Sequence, residues 1–230
     1  VEKFLVEAKF PYAIGYGLTE TAPLLAGANP MKSVYESTGP AIEDIELIIN
    51  NPDKVTGEGE IWARGPNVMK GYYKDPEMTA EVITPDGWFR TGDLGVLDNN
   101  NYLYIKGRLK NMILGASGEN IYPEEIESVI NNFRYVTESL VIQQKGKLVA
   151  LVHLNMEELE KKYQNLKHDV ARQTQDMSKL IEEKKNELLA ELQDYVNSKV
   201  SKYCRINKVV SQPSPFQKTA TLKIKRFLYT

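Results

Sequence analysis

The sequence predicts a mixed α+β fold in two parts, and three patterns support this prediction. Short stretches of alternating apolar and polar residues occur between Val34 and Ile105. Apolar residues with helical spacing follow Pro123, and the segment 147–212 contains neither Gly nor Pro. Alternation is typical of strands, whereas apolar residues three and four apart are typical of helices. We therefore expect a small antiparallel sheet or barrel, followed by a compact α+β domain with long helices.

The strand signals lie in the first part of the chain. The segments 45–49 and 60–64 are β-like stretches that flank a turn-rich region. The segments 94–97 and 102–105 are separated by Asp-Asn-Asn-Asn, a polar run that favours a hairpin turn. These patterns predict a small antiparallel β-barrel-like subdomain over about 33–105.

Short helices are predicted in the same part. Residues 1–9 carry apolar side chains on one face and precede Pro11, which breaks a helix. Asp75, Pro76 and Glu77 form a helix start signal, because Pro is tolerated in the first turn and acids favour it.

The second part begins near Arg108. The segment 123–130 has helical spacing of apolar residues, with acids in its first turn. The segments 140–142 and 148–154 are β-rich and face each other across a Lys-Gly pair. We therefore predict a compact α+β domain.

A long helical insertion is predicted over about 156–186. Its apolar residues, Val170 among them, follow three- and four-residue spacing, with one polar gap near Gln173. After the gap the register shifts to Leu188 and Leu192. Fewer than three clean heptads are present, so a solvated insertion is favoured over the alternative, a partner-binding coiled coil.

Composition narrows the possible partners. The hydrophobic share of 42% and the charged share of 26% are typical of a globular protein. A net charge of −2 leaves no basic surface that would indicate nucleic acid as a partner. Cys204 is the single cysteine, which fits a reducing compartment, and we expect a cytoplasmic protein. The apolar runs are too short for a transmembrane segment.

Several kinds of chemistry have no sequence support. His153 and His168 are the only histidines, and Cys204 has no neighbouring cysteine, so no metal-binding cluster is predicted. A Gly-x-Ser-x-Gly nucleophile motif is absent. The Gly-rich segment 115–118 lacks a following Lys-Ser or Lys-Thr and is therefore not a Walker-type loop.

Four segments are more informative together than alone, namely 16–20, 89–94, 106–110 and 218–226. Taken singly, the first resembles a loop followed by a helix cap and the second a turn. The third resembles a solvated basic linker. The fourth resembles a basic tail, although its interleaved Thr, Leu and Ile indicate an ordered segment.

Their order and spacing resemble the adenylate-forming enzymes. The series is Tyr-Gly-x-Thr-Glu, Gly-Glu-Ile-x-x-x-Gly, Gly-Tyr-Tyr with Pro-Glu-x-Thr, Arg-Thr-Gly-Asp, Gly-Arg-x-Lys and Thr-x-Lys-Ile-Lys-Arg. Within this superfamily the chain is most similar to acyl-CoA synthetases of the long-chain fatty acid–CoA ligase type. The resemblance runs over about 10–154 and 188–228, and the helical insertion interrupts it.

The resemblance implies an activity and a domain plan. Such enzymes use ATP to convert a fatty acid to acyl-AMP and pyrophosphate. The thiol of CoA then attacks the acyl-AMP, which gives acyl-CoA and AMP. Residues 1–107 would be the C-terminal part of the ATP/AMP-binding core domain, and 108–230 the lid domain. The phosphate loop and the acyl pocket would lie upstream of Val1. We therefore expect the chain to be a C-terminal portion that is inactive alone.

The resemblance also implies roles in the first part. Tyr16 would stack on adenine, and Gly17 would belong to the same nucleotide site. Thr19 would bind the α-phosphate. Glu20 would act as the ligand of Mg²⁺, an ion that prefers oxygen ligands. Asp93 would accept hydrogen bonds from both ribose hydroxyls.

Further roles are implied in and after the linker. Arg108 would reach the ribose or phosphate, and Lys110 would be the hinge of the lid. Lys223 would stabilise the transition state of adenylation. Four residues would line the CoA tunnel, where small residues permit close approach: Gly115, Ser117, Gly118 and Glu119. One departure is Leu222, since many relatives have Gly directly before the lysine.

Two other functions stay open. A carrier-protein-loading adenylation domain or a luciferase-like oxidase would use the same nucleotide motifs. A non-catalytic helical interaction module would use the insertion instead. The expected partners are therefore small-molecule substrates, with peripheral membrane contact as a possibility and the oligomeric state undetermined.

Overall fold

The chain divides into two units, Val1–Asn111 and Met112–Thr230. A computed structural model describes residues 2–167, 177–220 and 222–230. The division falls shortly after the boundary predicted from the sequence, and the function of each unit stays a prediction. Both units mix helices with antiparallel strands, which confirms the predicted α+β class.

In its described residues, the first unit contains two short α-helices and two sheets. The helices are α1 (Glu2–Glu7) and α2 (Pro76–Val82). Strands β1 (Gly15–Gly17) and β2 (Leu24–Gly27) form an antiparallel pair. The larger antiparallel sheet has four strands in sequence order, namely β3 (Glu46–Asn50), β4 (Gly59–Arg64), β5 (Phe89–Leu97) and β6 (Leu103–Arg108). In the described residues this sheet does not close on itself, so an open sheet forms in place of the barrel-like alternative.

Local sequence explains these elements. Along β4 buried and less buried residues alternate, which places Ile61 and Ala63 in the core and Glu60 and Trp62 on the other face. The predicted start of α2 is confirmed, because the carboxylate of Asp75 accepts a hydrogen bond of 2.9 Å from the amide of Met78. The remaining members of this core are Tyr16, Leu25, Ala26, Ile45 and Leu103.

The second unit is built around a three-stranded sheet. A short pair, β7 (Ile113–Leu114) and β8 (Asn120–Ile121), precedes helix α3 (Pro123–Asn131). The predicted hairpin is confirmed as β9 (Val136–Gln144) and β10 (Lys147–Leu154). Helices α4 (Met156–Lys167) and α5 (Met177–Lys199) follow, and β11 (Lys208–Ser211) then pairs with β10 in parallel. The strand order is therefore β11-β10-β9.

Both faces of this sheet are covered. On one face, α5 presents Leu188, Leu192 and Val196, which recur every four residues and pack with residues of α3 and of the sheet. On the other face, Phe216 packs with Leu140 and Ile142 of β9 and with Val149 of β10. The C-terminal segment thus takes the place that a helix takes on the opposite face.

The predicted insertion differs in part from the structure. Residues 168–176, with Val170 and Gln173, lie outside the described residues. In α4, Leu159 is buried in the same core as α5, whereas Glu157, Glu158 and Lys161 are exposed, so one face of this helix packs on the domain core and the other is solvated. None of the helices in the described ranges is long and apolar enough to cross a membrane.

The packing of α5 predicts that shortening one of its buried side chains lowers the stability of the second unit strongly. Leu192 is fully buried, so Leu192→Ala should lower the free energy of unfolding of the second unit by about 2–5 kcal/mol. Urea unfolding followed by helical circular dichroism would measure this change. The two tryptophans, Trp62 and Trp88, lie in the first unit, so tryptophan fluorescence reports that unit separately.

The matched control is Glu183→Ala, at an exposed position of the same helix, with an expected effect within about 0.5 kcal/mol. Equal stability of Leu192→Ala and Glu183→Ala would contradict the assignment of α5 to the core.

Candidate functional site

A buried carboxylate is the centre of the candidate site in the first unit. Asp93 lies on β5 directly opposite Arg108 on β6. Its side chain is only 8% exposed, and its Oδ1 is 2.9 Å from Nε of Arg108, which is half-exposed. Because an unpaired buried charge costs several kcal/mol, this contact compensates the loss of water around Asp93.

Tyr16 completes this cluster from β1. Its hydroxyl donates a hydrogen bond of 2.9 Å to Oδ2 of Asp93. Burial, followed by the negative charge of Asp93, raises the pKa of Tyr16 well above its usual value, so the phenol stays protonated as a donor. The structure therefore brings together Tyr16, Asp93 and Arg108, which are far apart in the sequence.

The turn after Tyr16 depends on a glycine and a threonine. A Cβ atom on Gly17 would lie 1.7 Å from the carbonyl oxygen of Pro23, so only glycine fits there. Thr21 is buried, and its hydroxyl accepts a hydrogen bond of 3.0 Å from the amide of Leu18. Thr19 is exposed, and its side chain has no hydrogen-bond partner among the described residues.

Glu20 has a partner that the sequence reasoning did not assign. The hydroxyl of Tyr72 donates a hydrogen bond of 3.1 Å to Oε1 of Glu20. The amide of Tyr72 donates in turn to the hydroxyl of Thr79, at 2.9 Å. The Gly-Tyr-Tyr and Pro-Glu-x-Thr motifs therefore contain the residues that hold the Glu20 carboxylate in place. The presence of these two motifs was the signal in the sequence from which the contact could have been predicted.

Glu20 is a single carboxylate, and a single carboxylate is sufficient only for a metal ion that is also held by substrate phosphates and water. In the described part of the chain no group of three or more His, Cys, Asp or Glu side chains is arranged to hold a metal. Mg²⁺ is often bound by one or two carboxylates together with substrate phosphates and water. Glu20 therefore fits magnesium that arrives with a nucleotide, and it does not fit a metal site made of protein ligands alone.

Lys110 lies at the end of the first unit. It belongs to a short 3-10 helix, Leu109–Asn111, directly after β6, and its side chain is exposed. The unit itself ends at Asn111. This location is compatible with a hinge, which stays a prediction.

The Gly-rich loop of the second unit joins β7 to β8. The amide of Gly115 donates a hydrogen bond of 2.8 Å to the carbonyl oxygen of Glu119, and Gly118 has a φ of +90°. The Glu119 carboxylate accepts a hydrogen bond of 3.2 Å from the amide of Ser117. This carboxylate is therefore turned back onto its own loop, which forms one wall of an open pocket of about 450 Å³. The sequence reasoning missed Lys202 and Arg205, which also line this pocket.

Lys223 lies on a small C-terminal hairpin in which Lys218 pairs with Ile224. The amide of Thr219 donates to the carbonyl oxygen of Lys223 at 2.8 Å, and the amide of Lys223 donates to the hydroxyl of Thr219 at 3.2 Å. The side chain of Lys223 is exposed. Its backbone is thus fixed while its ammonium group is accessible.

Leu222 occupies an unfavourable backbone conformation. Its φ is +62°, in the left-handed region that favours glycine, and its side chain is 78% exposed. Gly would therefore be less strained than Leu at this position.

Comparisons with known proteins agree with these motifs. Residues 1–73 match the family described as AMP-binding enzyme. A long-chain-fatty-acid–CoA ligase of Yersinia pestis is 42% identical over 134 residues, which are 56% of this chain and 23% of that protein. An indoleacetate–CoA ligase of Aromatoleum aromaticum is 40% identical over 152 residues, 62% of this chain and 29% of that protein.

A solved structure gives the same assignment. The o-succinylbenzoate coenzyme A synthetase of Bacillus subtilis, in complex with ATP and magnesium ion, matches 98% of this chain and 42% of its own. Its TM-score is 0.74 at 28% sequence identity. Residues 1–73 thus match the AMP-binding enzyme family, and the relatives that match the wider chain are CoA ligases. The chain spans about a quarter of the length of the curated relatives it matches.

The hydrogen bond within the buried cluster predicts a stability change. Tyr16→Phe removes the donor to the buried Asp93 carboxylate and should lower the free energy of unfolding of the first unit by about 1–3 kcal/mol. Urea unfolding followed by tryptophan fluorescence would measure it. Tyr73→Phe is the control, since Tyr73 is 88% exposed and should be neutral. A neutral Tyr16→Phe would show that this hydrogen bond contributes nothing.

The strained conformation of Leu222 predicts a gain in stability. Leu222→Gly relieves a left-handed strain of about 1–2 kcal/mol, which exceeds the cost of about 0.4–1 kcal/mol from greater freedom of the unfolded chain. The second unit should therefore unfold at a slightly higher urea concentration. Lys225→Gly should do the opposite, because Lys225 has an ordinary φ of −77°. Destabilisation by both variants would contradict the strain.

Proposed function

We propose that the chain is the C-terminal portion of a ligase that converts a long-chain fatty acid to acyl-AMP and then to acyl-CoA. The observation that carries this proposal is the cluster in which Tyr16 and Arg108 bind the buried carboxylate of Asp93. These residues belong to three separate nucleotide motifs of the sequence, and a chance combination of motifs would not bring their side chains together.

The cluster is suited to a nucleotide. The Asp93 carboxylate accepts a hydrogen bond from Tyr16 and pairs with Arg108, and a carboxylate oxygen can accept more than one hydrogen bond. The two ribose hydroxyls are therefore suitable donors to Asp93. Thr19 offers an exposed hydroxyl to the α-phosphate, and Tyr16 would contribute its ring to the adenine site.

Glu20 is the proposed ligand of magnesium. Tyr72 holds one of its oxygens, which orients the carboxylate. Bound magnesium would neutralise charge on the phosphates of ATP, and this is the usual contribution of the ion in phosphoryl chemistry. The chain's own residues would bind the nucleotide around it.

The second unit is proposed as the lid. Lys223 would stabilise the charge that develops while the carboxylate attacks the α-phosphate. The path of CoA would be lined by the Gly-rich loop, through Gly115, Ser117, Gly118 and Glu119. Lys110 would be the hinge about which the lid rotates between the two half-reactions. An accessible ammonium group on a fixed backbone supports this role of Lys223.

The likeness to the Yersinia pestis enzyme supports a long-chain fatty acid as the substrate. The likeness to the indoleacetate ligase is nearly as strong, so an aryl acid is the competing substrate class. Exchange of labelled pyrophosphate into ATP in the complete ligase, with palmitate or with indole-3-acetate, separates the two. Faster exchange with indole-3-acetate would contradict the long-chain assignment.

A variant of Lys223 tests the mechanism. Lys223→Ala in the complete ligase should slow the exchange of pyrophosphate by about 10²-fold or more, the usual cost of one transition-state donor. The same variant should convert preformed acyl-AMP and CoA to acyl-CoA at nearly the wild-type rate, because the lysine acts only in adenylation.

The control is Lys225→Ala, which removes a cation from the same hairpin and should leave both steps nearly unchanged. If Lys225 is essential and Lys223 is dispensable, the catalytic lysine has been assigned incorrectly. If Lys223→Ala slows both steps equally, the residue does not act in adenylation alone.

A further inference from the structure

We infer that Glu127 is a positioning residue for Lys223, acting through Arg226, and this inference rests on the proposed function. Glu127 lies on α3 and is buried, whereas Arg226 begins a short 3-10 helix, Arg226–Leu228, directly after the C-terminal hairpin. Nη2 of Arg226 pairs with Oε2 of Glu127 across 99 residues of sequence. The contact ties the segment that carries Lys223 to a helix of the domain core.

The geometry of this contact satisfies both side chains. Oε1 of Glu127 accepts a hydrogen bond of 2.6 Å from the amide of Val141 on β9. Nη1 of Arg226 donates to the carbonyl oxygen of Val141 at 3.4 Å, and Nη2 also lies 3.5 Å from Oε1 of Glu124. The guanidinium group therefore bridges α3 and β9 with several of its donors, which a point charge would not do.

Burial makes this contact costly to disrupt. The side chains of Glu127 and Arg226 are only 11% and 20% exposed. Burial raises the pKa of Glu127, while the charge of Arg226 and the amide of Val141 oppose that rise. Removing one member of such a pair leaves the other charge buried without its partner.

The opposite side of the hairpin is held independently. The Glu138 carboxylate accepts a hydrogen bond of 2.9 Å from the amide of Phe216 and forms an ion pair with Lys218. On the side that carries Lys223, the ring of Tyr229 packs edge-on against Phe216 with 5.0 Å between the ring centroids, which keeps the end of the segment attached. Loss of the Arg226 contact should therefore loosen the side of the hairpin that carries Lys223 without detaching the whole segment.

Glu127→Gln is the sharpest test. The amide oxygen of Gln can still accept from the amide of Val141, whereas the negative charge that Arg226 requires is lost. In the 230-residue chain, hydrogen exchange of the Lys223 and Lys225 amides should become about 10-fold faster, while that of β10 stays unchanged. Glu157→Gln, an exposed change of equal charge in the same unit, should leave both unchanged.

Catalytic measurements separate positioning from stability. In the complete ligase, Glu127→Gln should slow adenylation by about 10-fold and leave acyl-CoA formation from preformed acyl-AMP within about 2-fold. Glu127→Asp, which keeps the charge, should recover part of the adenylation rate. Arg226→Lys tests the contact from the other side, because lysine cannot form the fork to Val141 and Glu127, and it should speed exchange in the hairpin.

Unchanged hydrogen exchange in Glu127→Gln and Arg226→Lys, or equal slowing of both half-reactions, would overturn the inference. If the wild-type ligase forms no acyl-AMP, the proposed function fails instead. The hydrogen-exchange rates then decide separately whether Glu127 holds the hairpin.

Discussion

The need to compensate a buried carboxylate organises each unit of this protein. The side chain of Asp93 is almost fully buried, and the groups that stabilise its charge come from β1 and β6. The four-stranded sheet and the β1–β2 pair must therefore meet at Asp93. Glu127 imposes the same requirement in the second unit, where Arg226 must arrive from the end of the chain. In both units, a charge that would be costly alone fixes where distant segments lie.

The C-terminal segment shows how a packed core positions an accessible side chain. Phe216 closes one face of the β9–β10 sheet, and charged anchors on α3 and β9 hold the chain on either side of the hairpin. Lys223 contributes nothing to these contacts and stays exposed. The proposed chemistry of Lys223 and the stability of the segment thus depend on different residues, so a variant of Lys223 need not be unfolded.

Local patterns in the sequence predicted the elements whose pairing is local. Alternation predicted the strands, and Asp75 predicted the start of α2. The Lys145-Gly146 pair predicted the β9–β10 hairpin, where both residues have positive φ, as a two-residue turn of type I′ requires. The parallel addition of β11, the burial of Leu159 and the pairing of Glu127 with Arg226 depend on contacts between distant segments, for which one sequence holds no periodic signal. The motifs identified Tyr16, Asp93 and Arg108 as a group, although not the hydrogen bond from Tyr16 to Asp93.

The parallel pairing of β10 with β11 has a consequence for the order of folding. The β9–β10 hairpin closes a short loop, whereas the pairing of β10 with β11 joins segments that are separated in sequence by α4 and α5, and such distant contacts generally form more slowly. During synthesis on the ribosome, the face that Phe216 later covers is therefore exposed for longer than the face that α3 covers. A chaperone that binds nascent apolar strands would have its longest opportunity at β9 and β10. The hairpin of Lys223 would be the last part of the domain to become native.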